Sequence, residues 1–185
     1  MTGEVIKDKV FTQPELKGES FKNVKFINCK LSNLEIKFSS FTDCVFENCD
    51  FTLVRLSSVN FERSKFKESK LSWINFSQTQ FIKCRFDHCL MEGDTFEKNK
   101  LSGIDFSESN LSSSLFISCD LTRAILTGCD LTRVAFDHSK LIGTALNNAD
   151  ITGTLFEDCK IEKAVLDIDG FINFGLSKGF VLTKD

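Results

Sequence analysis

From Phe11 to Leu176 every fifth residue is large and apolar: the 34 consecutive positions hold 17 Phe, 13 Leu, 3 Ile and Met91. Two residues before each lies a second series. Of its 29 positions from Val24 to Ala164, 20 are Cys, Ser, Thr or Ala and six are Val or Ile; the exceptions are Leu34, Asp94 and Asn99. The other three positions of each five are mostly polar. A helix repeats its apolar positions about every 3.6 residues and a strand every 2, so neither carries this pattern. One large and one small inward residue per five suits a short strand-like side followed by a corner. Four such sides close a square coil of twenty residues, and stacked coils pair their backbones about 4.8 Å apart. The pattern predicts an all-β solenoid, in which each coil leans only on its neighbours.

Read at twenty, the large residues fall into columns. Side 1 runs Phe21, Phe41, Phe61, Phe81, then Leu101, Leu121, Leu141, Ile161. Side 2 runs Phe26 to Phe106 and then Leu126, Leu146, Leu166. Side 4, opposite side 2, reverses the order: Leu16, Ile36, Leu56, then Phe76 through Phe156. The core keeps its volume by exchanging which sides carry rings, and phenylalanines at this spacing stack in offset contact.

Composition then narrows the class. The chain has 20 Phe, no Tyr, one Trp, one Pro and a net charge of −3. That balance argues against a basic nucleic-acid binder and against a highly charged disordered chain. No apolar run approaches the roughly 18–20 residues of a membrane span, and the opening residues do not read as a signal peptide, so a cytoplasmic protein is expected. The charge is uneven: residues 1–92 carry 14 basic and 12 acidic side chains, residues 93–185 carry 9 and 14.

Candidate chemistry is sparse. All eight cysteines occupy the small inward series, without a CxxC pair, and read as compact apolar fillers rather than zinc ligands. Cys29 and Cys49 are twenty apart and stack at a span a disulfide could bridge; free thiols are expected in a reducing compartment. His88 and His138 fall at outward positions on different sides with no nucleophile beside them, and no Gly-rich phosphate loop is present. No catalytic site, metal or cofactor is expected. Asp94 and Asn99 break two successive small positions beside Met91, and predict a local distortion in which their side chains bond nearby backbone.

The ends differ from the body. Residues 1–20, with Pro14, are expected to cap the first coil. At the other end a short helix is expected from Asp169, capping its start, to Gly179, closing it. Phe171, Ile172, Phe174, Leu176, Phe180 and Leu182 would leave an apolar end that needs a partner. Leu115, Ala135 and Leu155 form one outward stripe, and Ile125, Ala145 and Val165 another on the opposite face; either they are tolerated surface residues or they extend that contact. Leu53 and Trp73 share one outward column as a small patch.

The segments Cys49-Asp50-Phe51-Thr52-Leu53, Cys119-Asp120-Leu121-Thr122-Arg123 and Cys129-Asp130-Leu131-Thr132-Arg133 carry a family signature. They resemble the pentapeptide-repeat family, and the likeness runs over about residues 20–166. It implies a right-handed quadrilateral β-helix of about 7–8 coils over 21–166, with residues 167–185 as a C-terminal helix and tail. In gyrase-directed members such a helix joins two copies end to end, which implies a homodimer here. The Phe- and Cys-rich repeats are similar to the Qnr/MfpA-type branch, although the projecting loops of many such proteins are missing. That likeness implies a DNA-mimicking rod that engages DNA gyrase or topoisomerase IV and modulates it or protects it from fluoroquinolones. It would bind neither nucleic acid nor membrane. Asp105, Asp120, Asp130, Asp137 and Asp150, with Leu53 and Trp73, are the candidate partner surface. The alternative is a plain scaffold binding another intracellular protein.

Overall fold

A computed structural model describes residues 1–13 and 15–183; Pro14, expected in the N-terminal cap, lies outside the described residues, as do the tail residues Lys184 and Asp185. The chain winds as a parallel β-solenoid of about eight turns, closed at its C-terminal end by a single helix, Ile168–Ser177. Strands of three or four residues are each centred on a large apolar residue, and each pairs with the residue twenty positions away, from Val5 with Lys25 to Lys140 with Lys160. The columns read from the sequence form the core, except that Ile161 at the end of side 1 is exposed and Leu56 and Leu166 are partly buried. Rings stack along them, as in Phe26–Phe46 and Phe96–Phe116, both with centroids 4.7 Å apart.

Each corner is built from the polar positions. The third of these takes a left-handed backbone, with φ between +47° and +64° at 24 non-glycine residues. Asn, Asp and Gly adopt it readily, whereas Leu53, Arg123 and Trp73 pay a steric cost. A ladder bond offsets it: the amide there donates to the next coil, as Asn23 does to the Thr42 carbonyl at 3.0 Å and Arg123 to Ile142 at 2.8 Å. At many of the small inward positions a hydroxyl or thiol also donates to a backbone carbonyl. Ser114 Oγ donates to the Met91 carbonyl at 2.9 Å, Thr154 Oγ1 to Leu131 at 2.7 Å, and Cys129 Sγ to Phe106 at 3.0 Å.

Residues 1–13 and 15–19, expected as a cap, run as the first coil: Thr2 bridges to Lys22 and Val10 to Lys30. Its outer end is covered by its own side chains. The Lys9 ammonium lies 4.6 Å over the Phe11 ring and 2.8 Å from Glu15, whose carboxylate also accepts from the Thr12 amide and hydroxyl. These contacts, the Lys9 bond first, hold the Glu15 pKa down at about 2.

The exchange of rings between columns leaves a mark on the backbone. Sides 2 and 3 carry unbroken ladders along the rod. On side 4, Arg55–Ser57 pairs back to Glu35–Lys37 but not forward to 75–77, while Asn75 bridges to Thr95. On side 1, Thr79–Ile82 pairs back to Val59–Glu62 but not forward to 99–102, while Lys100 bridges to Asp120. Up to Phe61 and Phe66 the rings of this region fill the adjacent sides 1 and 2; from Phe96 and Phe106 they fill the opposite sides 4 and 2. Side 4 must therefore sit further out after the exchange than before it, and the ladder parts where the two arrangements meet.

Candidate functional site

The interior offers little chemistry. All eight cysteines are free thiols, Cys29 and Cys49 included. Burial pushes Cys49, Cys89 and Cys129 up to about 12 and Cys84 and Cys119 to about 11, so these thiols stay protonated at neutral pH and are poor nucleophiles. Among the described residues no group of three or more His, Cys, Asp or Glu is placed to hold a metal ion. Among the described residues no helix is long and apolar enough to cross a membrane. His88 lies 3.0 Å from Asp87, and His138 lies 2.6 Å from Asp137 and 3.6 Å from Asp158. The hydrogen bond to Asp137 raises the pKa of His138.

Asp94 and Asn99 bond nearby backbone. Asp94 Oδ1 accepts from the Ile74 amide at 2.8 Å, and its own amide donates to Ser114 Oγ at 2.9 Å. Asn99 Nδ2 donates to the carbonyls of Phe76 and Thr79, both at 2.9 Å. The second Asp94 oxygen, Asn99 Oδ1 and Thr79 Oγ1 are buried without partners. Desolvation raises the Asp94 pKa well above the ordinary carboxylate value, so the neutral acid is favoured. Its contribution is fully present below the unfolded pKa near 4 and is lost as pH rises toward the folded value, by up to about 1.4 kcal/mol per pH unit. Asp94→Asn keeps the acceptor for Ile74 and removes the charge. It is expected to raise the melting temperature by a few degrees at pH 8 and by little at pH 4, measured by calorimetry at both.

The candidate partner residues are not brought together. Asp105 lies on side 2, Asp120 on side 1, Asp130 and Asp150 adjacent on side 3, and Asp137 on side 4. Four of these carboxylates also have structural work: Asp105, Asp120, Asp130 and Asp150 accept from the amides of Ser107, Thr122, Thr132 and Thr152 at 2.9–3.0 Å. Leu53 and Trp73 do share side 3 and line one groove, which also reaches Asn75 and Gln78. The Trp73 ring covers Gly93, where a Cβ would come within 2.5 Å of it. The stripes Leu115/Leu155 and Ile125/Val165 are exposed on opposite sides, 4 and 2.

The C-terminal end is the most distinctive surface. The helix begins two residues earlier than expected: Asp167, not Asp169, is its N-cap, accepting from the Gly170 amide at 2.8 Å. Asp167 leaves the last coil in extended backbone and also accepts from the Asn148 amide. Lys178 is the C-cap, and Gly179 follows with φ +85°. Lys178 Nζ ties the helix to the solenoid through the Phe156 carbonyl at 2.7 Å. Phe174 turns inward, its ring 5.3 Å from that of Phe156 and edge-on to it. Phe171 and Phe180 remain outside, 69% and 74% exposed, and with Ile172, Leu176 and Leu182 they border an apolar groove of about 380 Å³.

A family model described as the pentapeptide repeat region matches residues 19–96 and 91–166. No curated protein matches in sequence. Among solved structures, a trypsin-treated variant of QnrB1, a plasmid-mediated fluoroquinolone resistance protein, is 18% identical with a TM-score of 0.48, over 98% of this chain and 99% of that one. HetL, a pentapeptide repeat protein involved in heterocyst differentiation regulation from the cyanobacterium Nostoc sp. strain PCC 7120, is 14% identical with a TM-score of 0.33, over 90% and 91%.

Proposed function

The chain belongs to the pentapeptide-repeat family, and we propose that it is a non-enzymatic, protein-binding rod of the cytoplasm, acting as an end-to-end homodimer whose target is a type II topoisomerase. The observation that carries the reading is the pairing of an exposed apolar end with the acidic half of the chain. Residues 93–185 hold 9 basic and 14 acidic side chains, and they adjoin the groove bordered by Phe171 and Phe180. Joining two copies there puts both acidic halves at the centre of a straight rod. About eight coils at ~4.8 Å give each copy a length near 38 Å, so the dimer spans on the order of 75 Å. A surface of that length with central negative charge suits a protein groove built to hold duplex DNA. DNA gyrase and topoisomerase IV are the targets to test.

The distribution of the carboxylates favours a second reading. They are spread over four sides, and four of them are engaged with their own turns. A scaffold that binds another intracellular protein needs no such charge array. Supercoiling assays with purified gyrase, with and without ciprofloxacin, separate the two. Inhibition of supercoiling, or rescue from the drug, at micromolar protein is expected on the topoisomerase reading. Neither effect at that concentration rejects it and leaves the scaffold.

A further inference from the structure

The parted ladder divides the rod into two stacks, and one corner passes between them. Residues Asn75 and Phe76 belong to the C-terminal stack: the Phe76 amide donates to the Thr95 carbonyl at 2.8 Å, and the Thr95 amide to the Ile74 carbonyl at 2.9 Å. Three residues later Thr79–Ile82 belongs to the N-terminal stack, paired with Val59–Glu62. The corner Phe76–Thr79 crosses from one to the other. From Gly18 to Lys163 Gln78 alone among the third-position residues keeps out of the left-handed region. The bonds that the repeat would place at Ser58 N–H to Ser77 O, Gln78 N–H to Glu97 O and Lys83 N–H to Ser102 O are absent.

The side chains at the crossing fit an opening seam. Leu56 is only partly buried, although Ile36 and Phe76 in its column are fully buried. Phe61 and Phe81 are the most widely spaced stacked rings among the described residues, at 5.6 Å. A groove of about 640 Å³ runs round the corner between Ser58, Gln78, Gln80, Lys98 and Lys100. Its inner wall holds Thr79 and Asn99, two of the three residues with a buried, unpartnered polar atom. Opening would hydrate those atoms, which recovers part of what burial costs them. The flanking rings stay packed within their own stacks, Phe76 on Phe96 and Phe86 on Phe66.

We infer that the Phe76–Thr79 corner is a hinge. The rod bends about the edge between sides 2 and 3, where both ladders are continuous, and gapes at the corner between sides 4 and 1, where both are parted. The bend lets a rod otherwise stiffened by backbone pairing conform to a curved partner, and Asn99 limits it by holding Phe76 and Thr79 together from the C-terminal stack.

Distances between spin labels test this. Cysteine pairs at Lys17 and Asp137 (side 4), Ser20 and Lys140 (side 1), Lys25 and Ala145 (side 2) and Ser32 and Thr152 (side 3) each span six coils, about 29 Å. They are introduced into full-length protein carrying Cys159→Ser, because Cys159 is the one native thiol not fully buried, and labelled chains are diluted with unlabelled ones. Distance distributions on sides 4 and 1 are expected to be about twice as broad as those on sides 2 and 3, since points farther from the axis move farther. Gln78→Gly, which supplies the left-handed corner, is expected to narrow the first two and leave the others. Equal widths on all four sides overturn the hinge. The two pairs on each half of the perimeter are independent, so one poorly folding variant does not remove the test.

Discussion

Truncating Phe116 to alanine is expected to lower the thermal unfolding midpoint by about 6–20 °C, from a loss of about 3–5 kcal/mol at roughly 2–4 °C per kcal/mol. The ring is fully buried, stacked on Phe96 at 4.7 Å and on Phe136 at 5.1 Å, with Phe106 across the core. In a globular core neighbours can relax into part of such a void. Here they are held by the backbone: Leu115–Ile117 pairs on one edge with Thr95–Glu97 and on the other with Ala135–Asp137, so the coil spacing is fixed and the cavity persists. The cost belongs near the upper end for that reason. Phe116→Leu is expected to cost less than half as much, because leucine fills the equivalent positions at Leu121, Leu126 and Leu131 of the same coil. Circular dichroism melts of the two variants check both. A shift under 2 °C for the alanine variant would mean that the ring stack is not what fixes the stability of this region.

Where the sequence was informative depends on how many residues specify a feature. The period of five is restated 34 times, so columns, corners and the change of rings from side 1 to side 4 were all readable. The broken ladder was not. It follows from two neighbouring exchanges, Phe76 entering side 4 and Phe81 ending the run on side 1, and from one backbone angle at Gln78. A glutamine at the third position is no warning when Lys83, Arg63 and Glu68 accept the left-handed turn. Asp94 and Asn99 were legible as residues that bond backbone, because nothing else makes them tolerable in a closed tube. Which backbone they serve depends on how the neighbouring coil lies beneath them, Ile74 for Asp94 and Phe76 and Thr79 for Asn99. The helix start differs from the sequence expectation at Asp169 for a local reason: the chain leaves the last coil in extended backbone at Asp167, whose carboxylate bonds both Gly170 and Asn148. The sequence marks the carboxylates as a candidate partner surface, yet in a repeat whose second position is often Asp, four of the five accept from the amide two residues on.

Phe174 decides how the dimer is tested. Expected on the interface, it lines the apolar groove and also packs on Phe156 within its own chain, so replacing it disturbs the fold and the contact together. Phe171 and Phe180 do not share that ambiguity. They project from the helix face and the tail across one apolar groove, and the helix beneath them is pinned from both ends by Asp167 and Lys178. A pinned helix presents its apolar side chains with little ordering left to lose on association, which favours a hot spot centred on the aromatic residues. Phe171→Asp is therefore expected to weaken self-association by about 2–4 kcal/mol, a factor of roughly thirty to a thousand in Kd, with an unchanged melting profile for the monomer. Light scattering coupled to size exclusion should give twice the 20.9 kDa chain mass for the wild type and a single chain mass for the variant. A wild-type mass of one chain at tens of micromolar would reject the dimer. It would also remove the geometric basis for a central acidic segment, because the acidic half of the chain would then lie at a free end of a 38 Å rod rather than at the middle of a long one.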